Sequence, residues 1–178
     1  AFKPFVFAAA LERGFSPVSI LSGLDSIQPQ GPDEWAPRNV RDDTADALTL
    51  RAALIESNNR AATVLQQKVG SGPVLGLASD VGLRELPDVP SLALGTGLVT
   101  PLALTAGYAM FPNGGFAVRT RDIVRVRDAD GSVALDHGIE TERVISPQVA
   151  YQMVSMLSDV VDRGTGSSAR RMGVTFPS

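Results

Sequence analysis

A chain of 178 residues, 44% hydrophobic and 20% charged, is long enough to bury a core without covalent staples and has the composition of an ordinary folded domain. Its net charge of −3, from 16 basic and 19 acidic residues, offers no counterion-releasing face, which argues against nucleic acid as a partner. With no cysteine, no disulfide, thiolate metal site or cysteine nucleophile can be built. No stretch reaches the roughly 18 to 20 uninterrupted apolar residues of a membrane span, and Ala1 to Phe7 lacks the layout of a signal peptide, so any membrane anchor is expected in a parent protein.

In chain order, Ala1 to Arg13 reads as a helix closed by Gly14, with Phe2, Val6, Ala9 and Ala10 at helical spacing and Pro4 in a first turn. From Phe15 to Asp46, Pro17, Pro29, Pro32 and Pro37 argue for a long irregular excursion, the kind of loop that lines a site. Thr49 to Glu56 and Arg60 to Val69 then read as two helices separated by the polar triplet Ser57-Asn58-Asn59. A helix after Pro73 ends at Gly82, and Thr100-Pro101 opens another that runs through Phe111 to Asn113-Gly114-Gly115.

Beyond these glycines the period changes to the loose alternation of Ile123, Val124 and Val126, then an Asp130-Gly131 turn, then Val133 and Leu135: a β-hairpin near 122–136. Ser146-Pro147 opens a long helix with Val149, Ala150, Met153, Val154, Leu157, Val160 and Val161 inward, stopped at Gly164-Thr165-Gly166. The single histidine, His137, falls in a polar stretch after the hairpin and reads as a solvated loop residue, which makes a serine-histidine-acid triad a poor expectation.

Two short motifs carry chemistry. Ala1-Phe2-Lys3 resembles the tail of S-x-x-K, in which a serine nucleophile one helical turn before a lysine shares its face, so that the amine can take the hydroxyl proton. A lysine can act as that base only when neutral, and burial near a helix N-terminus lowers its pKa in the required direction. Ser57-Asn58-Asn59 matches S-x-N, a polar turn in which a hydroxyl can relay a proton while an amide orients its neighbours, although serine and asparagine are also ordinary helix caps.

The remaining blocks give the match its specificity. Trp35-Ala36-Pro37-Arg38-Asn39 precedes Leu48-Thr49-Leu50-Arg51-Ala52-Ala53-Leu54 and the S-x-N triplet. Leu94-Gly95-Thr96-Gly97-Leu98-Val99-Thr100-Pro101-Leu102, Tyr108-Ala109-Met110-Phe111-Pro112-Asn113-Gly114-Gly115 and Val160-Val161-Asp162-Arg163-Gly164-Thr165-Gly166 follow. In order and spacing these resemble the transpeptidase domain of class A penicillin-binding proteins over nearly all 178 residues; class B shares the VTPL and NGG blocks. Val40 stands where the family usually has an aromatic, which leaves one wall of the donor cleft in doubt, and Pro112 where it usually has alanine.

The resemblance implies an α+β fold of the penicillin-binding and serine β-lactamase type, helices against an antiparallel sheet, present here as a single partial domain, 1–178, that is mostly helical. It implies a serine D,D-transpeptidase that cross-links peptidoglycan stem peptides through an acyl-serine and is acylated by β-lactams, with no metal or organic cofactor, on the extracytoplasmic face of the membrane. In that scheme Lys3 is the acylation base, Ser57 the proton relay and Asn59 the residue that orients Lys3 and the donor backbone, with Asn39 and Thr165 binding substrate. The serine of S-x-x-K is expected directly before Ala1 and the K-T-G strand just after Ser178, so the 178 residues alone are expected to be inactive. The rival readings are a non-catalytic module of the same fold, a class B transpeptidase and a β-lactamase; the last lacks a matching acidic loop.

Overall fold

A computed structural model describes residues 1–26, 35–40, 45–138 and 141–175. Helix α1 (Lys3–Glu12) is apolar on every side, with Pro4 through Leu11 all buried. A helix hydrophobic all round belongs at the centre of a core, and α1 accordingly packs against α3 (Asn59–Val69), α4 (Ser71–Asp80) and α6 (Pro147–Arg163). Phe5, fully buried, meets Phe2, Tyr108 and Phe111 with ring centroids 5.3, 5.5 and 6.1 Å away, edge-on to Tyr108. Burying one such side chain stabilises the fold by about 1.5–3 kcal/mol, so the segment that carries Lys3 is anchored within two residues of it.

The excursion expected over residues 15–46 is partly regular. Ile20–Ser22 forms β1, antiparallel to β2 (Ala47–Thr49) with Leu21 opposite Leu48, and Leu24–Ser26 makes a 3₁₀ turn. Only Leu21 of β1 is buried, and a three-residue strand with one inward residue carries no readable alternation. Residues 27–34, with Pro29 and Pro32, and 41–44 lie outside the described residues. Helix α2 (Leu50–Ile55) follows β2 directly, with Thr49 as its N-cap, its hydroxyl accepting from Ala52 N.

Helix α4 begins at Ser71, so that Pro73 sits in its first turn, and Pro90–Leu94 adds a second 3₁₀ segment. Helix α5 (Pro101–Ala109) starts where the Thr100-Pro101 pair predicts, but ends short of Phe111, and the chain turns through Asn113-Gly114-Gly115. Gly115 has φ +90°, and a Cβ there would meet the Ile145 carbonyl at 2.1 Å, so only glycine lets this turn lie against the segment entering α6. The hairpin β3 (Arg125–Arg127) and β4 (Val133–Asp136) forms within 122–136, with every strand residue exposed and a register shift at Val126/Arg127.

Helix α6 buries Val149, Ala150, Met153 and Met156, with Leu157 and Val160 packed partly against the core. The expectation of an inward Val154 is corrected: it is exposed, because it lies one residue, about 100°, round the helix from Met153. Glu12 at the end of α1 accepts from Ser146 N at 2.5 Å, placing a carboxylate at the positive end of α6 and tying the two helices together. Among the described residues the architecture is helix-rich with two small antiparallel ladders, an α+β arrangement.

Candidate active site

The centre of the site is a lysine amine brought against a turn 54 residues away. Lys3 lies in the first turn of α1, and its Nζ donates to Ser57 O at 2.5 Å, Ser57 Oγ at 2.8 Å and Asn59 Oδ1 at 2.6 Å. Ser57 bridges α2 and α3 with φ +55°, in the left-handed region that serine rarely occupies. Its amide donates to Leu54 O and that of Asn58 to Ala53 O, closing the end of α2. Asn58 is buried and caps α3, its Oδ1 accepting from Ala61 N at 2.9 Å.

Asn59 is held from two sides. Its Oδ1 accepts a hydrogen bond from Lys3 Nζ while its Nδ2 donates to Arg38 O at 2.6 Å, which fixes which end of the amide is oxygen. Asn39 Oδ1 accepts from Asn59 N at 2.8 Å and from Arg60 N at 3.4 Å, satisfying two of the unpaired amides at the start of α3. The Arg38-Asn39 segment is thereby fastened to the S-x-N turn. Asn39 serves the scaffold through its oxygen, and its Nδ2 carries no partner among the described residues.

The other wall comes from the end of α6. Thr165 N donates to Ile55 O at 3.2 Å, and a Cβ on Gly164 would come within 2.5 Å of that same carbonyl and 2.8 Å of Val160 O. The requirement for glycine is steric, since its backbone is extended. Asn39, Val40, Ser57, Asn59, Arg163 and Thr165 are among the residues that line the resulting cleft, of about 720 Å³. Four of the five residues singled out in the sequence line it; Lys3 does not, but is hydrogen-bonded to two residues that do. Val40, also in the lining, is almost completely exposed.

Burial lowers the Lys3 pKa from 10.5 to about 8. The three acceptors around Nζ favour the ammonium, so desolvation is the stronger effect. Once neutral, the amine has two protons for the three oxygens around it and one lone pair free to take a proton from a neighbouring hydroxyl, that of Ser57 among them. Proton exchange between Lys3 and Ser57 then needs no side chain to move. The sequence left Arg163 and Ser167 unassigned, although both line the cleft; their only signal was adjacency to the Gly164-Thr165-Gly166 block. His137 is exposed at the far end of the hairpin.

Comparison with known proteins places the chain in a family. Residues 1–176 match the penicillin binding protein transpeptidase domain. Penicillin-binding protein 1A of Neisseria gonorrhoeae is 34% identical over 98% of this chain and 23% of its own length. The Aquifex aeolicus protein of the same name is 38% identical over 98% of the chain and 24% of its own length, so the chain spans about a quarter of these relatives. Among solved structures, Penicillin-Binding Protein 1A from Haemophilus influenzae superposes with a TM-score of 0.80 at 26% identity, covering 95% of this chain and 31% of that one. Penicillin-binding protein A from M. tuberculosis, as an imipenem acyl-enzyme complex, has a TM-score of 0.77 at 22% identity, over 94% and 44% of the two chains, and shares the fold. With its matching blocks in order over nearly its whole length, the chain belongs to the penicillin-binding protein transpeptidase domain family.

Proposed function

We propose that residues 1–178 are the central part of a serine D,D-transpeptidase domain of the class A branch, acting on peptidoglycan stem peptides outside the cytoplasm and acylated by β-lactams. The observation that carries the reading is the Lys3 amine within 2.8 Å of Ser57 Oγ and 2.6 Å of Asn59 Oδ1, with its pKa depressed toward neutrality. A serine one turn before Lys3 would share its helix face. Neutral Lys3 takes that hydroxyl's proton as the oxygen attacks the carbonyl of a terminal D-alanyl-D-alanine bond. The proton passes through Ser57 to the departing D-alanine amine. The acyl-serine is then resolved by an amine of a neighbouring stem, which gives up its proton by the reverse route.

Asn59 orients Lys3 through its oxygen, and Asn39 and Thr165 contact the donor peptide from opposite walls of the cleft. A β-lactam acylates the same serine by the same proton path, and the M. tuberculosis protein of this fold captured as an imipenem acyl-enzyme supports that reading. No helix among the described residues is long and apolar enough to cross a membrane, and a membrane anchor belongs, in this reading, to the parent protein.

The test is labelling by a fluorescent penicillin. A chain extended from the gene to include the S-x-x-K serine and the K-T-G strand should label stoichiometrically. Lys3→Ala in that chain should lower the rate about 100- to 10,000-fold, and residues 1–178 alone should stay unlabelled. Labelling of residues 1–178 would place the nucleophile elsewhere, and a folded but unreactive extended chain would mark a binding module.

A further inference from the structure

Arg51 lies in α2, the six-residue helix that leads into the Ser57 turn, and reaches across to α6. Its Nη1 bonds Asp159 Oδ2 and its Nη2 donates to Ser155 Oγ at 3.1 Å. One turn further along, Arg163 grips the same carboxylate through Nε and Nη2, at 3.1 and 2.9 Å. Asp159 thus sits between two guanidinium groups, which hold its carboxyl below the usual carboxylate range. Neither Arg51 nor Asp159 lines the cleft.

The seam that begins with this pair ends at the site. Beyond Arg163 the chain presses Gly164 onto Ile55 O and donates Thr165 N to it at 3.2 Å, and Ser57 follows Ile55 by two residues. A serine in the left-handed region is strained and stays there only where its surroundings over-determine it. On one side the Lys3 amine binds both Ser57 O and Ser57 Oγ. On the other, the end of α6 holds the segment from which the turn springs. We propose that Arg51 and Asp159 are positioning residues for acyl transfer: by locking α2 to α6 they keep Gly164 and Thr165 against Ile55, and so keep Ser57 in the conformation that sets Oγ 2.8 Å from Lys3 Nζ.

This role rests on the reading of Lys3 and Ser57 as the proton-transferring pair. When Arg51 is replaced Asp159 keeps both of its bonds to Arg163, so no buried charge is left unpaired and the cost to overall stability is modest, whereas a reacting group displaced by about 1 Å can lose on the order of 100-fold in rate. The pair therefore acts on the chemical step more than on folding or on β-lactam binding.

The test uses the extended chain and a fluorescent penicillin, measuring the acylation rate at saturation separately from the dissociation constant of the non-covalent complex. Arg51→Met should lower the saturating rate about 10- to 100-fold, leave the dissociation constant within about threefold, and melt within about 5 °C of the parent. Arg51→Lys keeps the charge but reaches only one of the two partners, and should fall between the two. A parental saturating rate in Arg51→Met overturns the proposal, as does a loss confined to the dissociation constant. Should Arg51→Met fail to fold, a parental rate in Arg51→Lys overturns it equally. Lys3→Ala acylating at the parental rate removes the underlying reading and the proposal with it; a silent Lys3→Ala beside a fully active Arg51→Met overturns the positioning role alone.

Discussion

The depressed pKa of Lys3 gives the proposed mechanism a pH signature. The active form is the neutral amine, so the acylation rate should follow its population upward with pH. With a pKa of about 8, roughly 1% of Lys3 is neutral at pH 6, about 9% at pH 7, about half at pH 8 and about 90% at pH 9. The second-order rate constant of a fluorescent penicillin with the extended chain should therefore rise close to tenfold per pH unit up to about pH 7, more slowly from there, and level off above about pH 9. No carboxylate pairs with Lys3 among the described residues; its partners, Ser57 and Asn59, are neutral. The midpoint should accordingly be insensitive to moderate salt. Lys3→Arg separates charge from basicity, because a guanidinium stays protonated across the range: it should acylate about 100- to 10,000-fold more slowly and show no rise toward pH 9. Between about 8 and 10.5 the unfolded chain holds a proton that the folded chain has released, so this lysine's contribution to stability also rises with pH through that window. A flat rate profile from pH 6 to 9, a midpoint near 10.5, or an active Lys3→Arg would refute the assignment of Lys3 as the base.

Further substitutions test the parts around it. Ser57→Gly relieves a left-handed serine while Ser57→Ala does not, so the glycine variant should be the more stable of the two by about 1 kcal/mol in denaturant unfolding, with both losing the hydroxyl relay and acylating slowly. Gly164→Ala drives a methyl to 2.5 Å from Ile55 O and should cost about 1–3 kcal/mol and slow acylation, whereas Gly14→Ala, with nothing within 4 Å of the added methyl, costs only its left-handed backbone and leaves the acylation rate unchanged. Asn39→Asp keeps the oxygen that accepts from Asn59 N and Arg60 N and should melt within about 0.5 kcal/mol of the parent, with Asn39→Ala about 1 kcal/mol or more less stable; an aspartate variant as unstable as the alanine one would show that the oxygen is not what the scaffold uses.

What the sequence made legible was governed by how local each signal is. Thr100-Pro101 and Ser146-Pro147 mark the starts of α5 and α6 because the cap and the proline act within one turn. The α6 stripe was readable except at Val154, which shares the apolarity of its neighbours but not their direction and whose place in the core Met156 takes, and at Val161, which is only half-buried. Strand β1 was hidden because its partner, β2, lies 25 residues further on and because three residues cannot display a period. The hairpin alternated only loosely for a related reason: with neither face buried, no core selects between its two sides.

The candidate site divides along the same line. Lys3, Ser57 and Asn59 could be singled out because the proposed chemistry demands particular residue types at a fixed local spacing, and Asn39 and Thr165 because they stand in blocks that resemble the family's. The contacts that hold those residues in place leave no such trace. Asn39 spends its oxygen on α3, so an amide read as a substrate contact is also a scaffold acceptor. Arg51 and Asp159 are 108 residues apart, each an ordinary charged residue on a helix, and nothing in either neighbourhood announces the other. A proton relay needs two heteroatoms within hydrogen-bond reach, and the motif supplies the atoms. The distance depends on Ser57 holding a backbone conformation it does not prefer, and that is decided by which helix ends the fold presses against the turn.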